Sequence, residues 1–181
     1  MPLLCESPPK RPPILQCSSI SELLLHFEEM FLSEGGIIQS ASGLKIQVLG
    51  DHFFHLVGIN GLWSMPAERA EILATTDGMG KYEMGRNGSR ARRLWQARET
   101  MLDPDVVSEH SPHAHDRWVF VKEYDDLPNA FTVALVKERE GDGTIIPGTT
   151  FPCRKTDIKR WLEGTRIYTK NTASHRIVAG A

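Results

Sequence analysis

The sequence predicts an α+β fold, an antiparallel β-meander with helices beside it. The stretch from Arg117 to Tyr168 reads as strand, strand, strand, short helix and closing strand. Helical patterns stand upstream of it, after Ser19 and after Ser89, each with apolar residues at helical spacing. No segment repeats at the period of a solenoid, so the elements form one core. The chain has 181 residues, enough for one domain with a sizeable core. With 40% hydrophobic and 24% charged residues it falls among ordinary soluble globular proteins.

Residues 1–16 carry five prolines (Pro2, Pro8, Pro9, Pro12 and Pro13), which remove amide donors and favour extended backbone; they read as a tail or linker. Residues 17–170 are expected to form a single domain, and residues 171–181 a C-terminal tail. Ser19-Ile20-Ser21-Glu22 is a capping-box pattern that opens the first helix. Leu23, Leu24, Phe27, Met30 and Phe31 give it an apolar face, and Gly35-Gly36 ends it. Ile37–Ser40 and the alternating Leu44, Ile46, Val48 predict two strands around a turn at Ala41–Gly43. Gly50-Asp51 turns the chain into a third strand, His52–Val57, which sends His52 and His55 to opposite faces. Pro66 fits the first turn of a short helix over 65–73. Gly78 to Gly88 is a glycine-rich loop without GxGxxG or Walker spacing, so no nucleotide cofactor is expected. Ser89 caps a helix over 90–102 whose stripe is Ala91, Leu94, Trp95, Arg98 and Leu102. Asp103-Pro104 stops it. In the meander, Asp125–Asn129 and Gly141–Gly143 supply the hairpin turns, Thr156 caps a short helix, and Gly164 ends that helix.

Charge and cysteine content narrow the function classes. A net charge of −2 gives no global reason to bind a polyanion. No stretch approaches the roughly 20 apolar residues of a membrane span, and the proline-broken N-terminus lacks a signal-peptide core. Three cysteines, widely spaced and without a CxxC pair, point to a reducing compartment, so a cytoplasmic location is expected. Arg86, Arg90, Arg92, Arg93 and Arg98 are either a solvated helix face or a phosphate-contacting surface. His110, His113, His115 and Asp116 form the most metal-like cluster, since imidazole and carboxylate suit zinc or manganese. They lie in a proline-containing loop with no cysteine and no HExxH pairing, so neither a metal site nor a cofactor is expected, and a metal enzyme is the weaker alternative.

The order of several short motifs carries a resemblance. Arg92 stands just ahead of Leu94 in the second helix, which continues to Thr100, and Asp103-Pro104-Asp105-Val106-Val107 follows it. Next come Trp118-Val119-Phe120-Val121-Lys122-x-Tyr124, a hydrophobic strand, Thr149-x-Phe151-Pro152, and Leu162-Glu163-Gly164-Thr165-Arg166-Ile167-Tyr168. From Ile46 to Tyr168 the chain resembles the phage-associated branch of the barnase–EndoU–colicin–RelE ribonuclease superfamily, whose domains occur as toxins and fused to phage head-morphogenesis proteins. The resemblance implies a small antiparallel sheet with helices packed on it. It also implies a metal-independent hydrolase of RNA, in which a ribose 2′-hydroxyl attacks the adjacent phosphate and leaves a cyclic phosphate and a free 5′-hydroxyl. That step needs a base, an acid and a cation near the phosphorane. His55 is the candidate base or acid. Lys122 and Arg92 are candidates to neutralise phosphate charge, and Thr149 or Thr150 to hydrogen-bond a phosphate oxygen. RNA is the implied partner, with an immunity or antitoxin protein as a second. The alternative is a non-catalytic, phage-related structural or interaction module of the same fold.

Overall fold

The computed structural model of the chain describes residues 10, 12, 15, 20–57, 93–109, 111–112, 117–125, 129–139 and 143–170. Helix α1 (Ile20–Phe27) runs into a π-helical turn, Glu28–Leu32. Strands β1 (Ile37–Gln39) and β2 (Lys45–Gln47) and helices α2 (His52–Val57) and α3 (Leu94–Leu102) follow. Then come β3 (Val106–Glu109), β4 (Arg117–Glu123), β5 (Phe131–Glu138), β6 (Ile145–Cys153), α4 (Ile158–Trp161) and β7 (Thr165–Thr169). The α+β class holds. The seven strands form one sheet in the order β1-β2-β6-β5-β4-β3-β7.

β4 to β6 make the expected antiparallel meander, and β3, not expected as a strand, extends it antiparallel to β4. The sheet as a whole is mixed, because β2 joins it parallel to β6 at Ile46 and Ile145. The closing strand β7 pairs with β3 rather than with β6. That pairing brings Gly164 against the chain at Glu109: a Cβ there would collide with the Glu109 carbonyl oxygen. Close approach, rather than a helix stop, is what requires glycine at this position.

The pleat divides the core in two. On one face Val107, Phe120, Ala134 and Val136 lie under α1, α2 and α3 with Ile38, Ile46 and Val48. Phe27 stacks on Phe31 (5.1 Å between centroids) and meets Phe53 edge-on (5.4 Å), which locks α2 to α1. On the other face Val106, Val119, Val121, Phe131, Val133 and Leu135 pack with Ile158 and Leu162 around α4.

Three local expectations are corrected. Residues 52–57 are helical, not a strand: Phe53, Leu56 and Val57 are fully buried, at the i, i+3, i+4 spacing of one helix face. The buried side of α3 is Leu94, Gln96, Ala97, Thr100 and Met101, while Trp95 is 39% exposed and Arg98 donates to the Met30 carbonyl. Thr156 does not cap α4. Asp157 stands at the cap but its side chain makes no capping bond to the helix; its carboxylate accepts the Thr156 hydroxyl. Ser19, the helix over 65–73, the glycine-rich loop, residues 89–92 and most of the N-terminal segment lie outside the described residues. So do the 126–128 and 141–142 parts of the hairpin turns and the C-terminal tail. No described helix is long and apolar enough to cross a membrane.

Candidate functional site

Strand β6 decides which threonine faces the helices. Its pairing with β5 shifts between Leu135 and Val136: Pro147 lies opposite Val136 and Thr149 opposite Leu135, leaving Gly148 as the extra residue of a bulge. A Cβ on Gly148 would sit 3.0 Å from the Leu135 carbonyl oxygen, so the bulge suits glycine. After the bulge Thr150 pairs with Ala134 and shares its face, toward α3. Thr149 pairs with Leu135 and lies on the opposite face. The two adjacent candidates therefore cannot serve one phosphate from the same side.

Above Thr150 the structure holds a depression lined by Arg93, Gln96, Thr132, Thr150, Phe151 and Pro152. It is shallow and open, with a cavity volume of about 10 Å³, room for about one water. Thr132 and Pro152 pair across β5 and β6 and share the Thr150 face. Gln96 is buried, accepts from the Arg93 guanidinium (3.4 Å) and donates to the Pro12 carbonyl (3.5 Å). Thr100 donates to the Gln96 carbonyl (2.7 Å), so its buried hydroxyl is satisfied one turn back along α3. Among the described residues the Thr150 hydroxyl has no hydrogen-bond partner. The lining contains a guanidinium, an amide and two hydroxyls, and no carboxylate. A hollow with the Thr150 hydroxyl, a nearby guanidinium and no carboxylate in its described lining suits an oxyanion.

Lys122 stands on the same face as Thr132, its partner across β4 and β5. Its side chain is only 7% exposed, and its ammonium donates to the Asp103 main-chain oxygen (2.8 Å) and to Asp103 Oδ2 (3.0 Å). Lys170 donates to the same Oδ2 at 2.6 Å. Burial alone would raise the Asp103 carboxyl, but the bonds from Lys170 and Lys122 outweigh it and hold the group below the usual carboxylate range. Burial likewise works against the Lys170 ammonium, and Asp103 nonetheless holds its pKa above the ordinary lysine value. The neighbouring Asp105 carboxylate accepts the Glu123 amide (2.7 Å), and Glu99 accepts the Tyr124 hydroxyl (2.8 Å).

His55 lies on α2, half-buried, in the helical layer over the Thr150 face. One turn earlier, His52 is buried and its Nδ1 accepts the Leu49 amide (2.9 Å). Burial pushes the His52 pKa down to about 4, and His55, Arg139 and Lys137 add to the effect while Asp51 opposes it. Arg92 lies outside the described residues; its neighbour Arg93 lines the depression. His110, His113 and His115 also lie outside them, and the described residues contain no group of three metal-ligating side chains. Cys153 is a free, buried thiol pushed up to about 11 by burial and by Asp157.

Gln96 and Thr132 were not candidates on sequence, and Arg93 stood out only as one member of an arginine cluster. Gln96 and Thr100 carried the available signal, a polar pair spaced i, i+4 on the helix face that also buries Ala97 and Met101. Thr132 would have followed from setting β4 and β5 in register. Comparison with known protein families, with curated proteins and with solved structures finds no match.

Proposed function

We propose that this domain is a metal-independent endoribonuclease, a toxin or phage-derived effector acting in the cytoplasm, with RNA as substrate and an immunity or antitoxin protein as partner. The observation that carries the proposal is the Thr150 hydroxyl, which has no hydrogen-bond partner among the described residues, in a hollow beside Arg93 whose described lining holds no carboxylate. In this reading Thr150 and Arg93 hold the scissile phosphate. Their hydrogen bonds gain strength as charge builds on its oxygens during attack by the ribose 2′-hydroxyl. His55 on α2 takes the proton from the attacking 2′-hydroxyl as base and, as the P–O5′ bond breaks, returns it to the departing 5′-oxygen as acid. Arg92 precedes Arg93 in the chain and carries a second positive charge.

The test is cleavage of single-stranded RNA by the purified full chain in buffer containing a chelator. The expected product carries a cyclic phosphate, and Thr150→Val and His55→Ala each slow its formation by roughly 10²–10⁴-fold while the circular dichroism spectrum is unchanged. Wild-type protein that yields no cyclic phosphate from any RNA overturns the reading.

One observation favours the second reading, a non-catalytic structural or interaction module in a phage-related assembly. The Lys122 ammonium, assigned to the phosphate by the family resemblance, is already held by Asp103.

A further inference from the structure

The segment just beyond the depression concentrates charge against the balance of the chain. Residues 154–160 hold Arg154, Lys155, Lys159 and Arg160 with Asp157 as the one carboxylate, whereas the whole protein is acidic by two charges. All four cations are exposed, and among the described residues Arg154, Lys155 and Lys159 form no ion pair. Beside them stands an aromatic pair. Trp161 and Phe151 are half-buried, each packed against the second core cluster, with ring centroids 5.1 Å apart at 56°. The Arg160 guanidinium lies over the Trp161 ring, 5.0 Å from its centroid.

Phe151 connects this patch to the depression, which it also lines. Thr150 points to one face of the sheet and Phe151 to the other, so the two sites are one residue apart on either side of β6. Beyond Ile145, β6 has no strand on its outer side among the described residues. A polyanion reaching from one face to the other would cross this edge.

We propose that Arg154, Lys155, Lys159, Arg160, Trp161 and Phe151 form a second nucleotide-binding subsite, taking single-stranded RNA that crosses the β6 edge from the Thr150 hollow. The inference rests on the ribonuclease reading for its first subsite. Its chemistry is that of sequence-tolerant single-strand binding, in which cations follow the phosphates and planar groups stack on bases. The Arg160 guanidinium and the Trp161 ring provide the planar surface, and Arg154, Lys155 and Lys159 provide the charge.

The experiment uses the full chain and a short, fluorescently labelled 2′-O-methyl oligouridylate, which binds but has no free 2′-hydroxyl to react. Fluorescence anisotropy is followed against salt concentration, and tryptophan emission is followed on titration with unlabelled oligonucleotide. For Arg154→Ala/Lys159→Ala we expect affinity to fall about 10-fold and the magnitude of the salt slope to fall by about 1.4, the single-strand value for two lost phosphate contacts. The quench of tryptophan emission should be smaller in Trp161→Phe than in wild type, because stacking on Trp161 is its source. Unchanged affinity and slope in the double variant overturn the subsite, as does a full quench in Trp161→Phe. Binding of an acidic protein that depends on these residues, with oligonucleotide binding unaffected, also overturns it. The two proposals fail separately: cleavage reports on Thr150, whereas binding of the unreactive oligonucleotide reports on the patch.

Discussion

His52 is neutral in the folded protein because its Nδ1 is occupied as an acceptor and its ring is buried beside other positive groups. The folded pKa of about 4 lies below the ordinary value of 6.5. Above pH 6.5 both folded and unfolded chains leave the ring unprotonated, and His52 contributes no pH dependence. As the pH falls from 6.5 toward 4 the unfolded chain takes up a proton that the folded chain refuses, and stability declines by up to about 3 kcal/mol. Urea midpoints between about pH 7 and pH 4 should fall for the wild type more steeply than for His52→Asn, which lacks the titration; parallel slopes would contradict it. The residue was readable in sequence only as one of two histidines flanking phenylalanines. A run of His, Phe, Phe, His, Leu and Val fits a strand alternation as well as a helix turn, and the choice was made by Phe27 and the core rather than by local spacing. Lys122 was legible as an odd residue in an apolar strand. Its partner Asp103 was not, because it lies 19 residues away, where α3 ends.

At the scale of elements, the meander was legible because β4, β5 and β6 carry strong β-formers between clear turns. Strand β3 was not: its first three residues, Val106, Val107 and Ser108, are all buried between β4 and β7, so no polar alternation marks it. The bulge in β6 was equally hidden, since Gly148 in a sequence looks like any strand glycine. Its effect is testable. Deleting Gly148 removes the extra residue, and every side chain beyond it changes face if the preceding pairing is kept. Thr149 then points toward α3, Thr150 points away, and Cys153 leaves its buried position. In a Cys5→Ser/Cys17→Ser background, the wild-type Cys153 should react slowly with an aromatic disulfide and the deletion variant rapidly. Equal rates would show that something other than the bulge sets the phase of β6.

Across the whole molecule, the Asp103-Pro104-Asp105 corner joins parts that are distant in sequence. Asp103 holds Lys122 of β4 and Lys170 beyond β7, while the Asp105 amide donates to the Val121 carbonyl and the Asp105 carbonyl accepts the Lys170 amide. Asp103→Asn leaves the Lys122 ammonium buried without its counter-charge. Because the Asp103 side chain is itself 42% exposed, the expected cost is about 2–3 kcal/mol, below that of breaking a fully buried pair. The loss should be local as well as global: amide exchange should quicken first in β7 and only later in β4 and β5. A stability change with uniform exchange would refute this corner as the anchor of β7. The side of β6 that no described strand pairs beyond Ile145 has its own consequence. Proline has no amide to donate to a ladder, and β6 carries Pro147 at the bulge and Pro152 near its end. A strand from another molecule docking along this edge meets interruptions in the hydrogen bonds it would need. The edge is thus protected against intermolecular β-sheet growth and aggregation, although no described strand covers it.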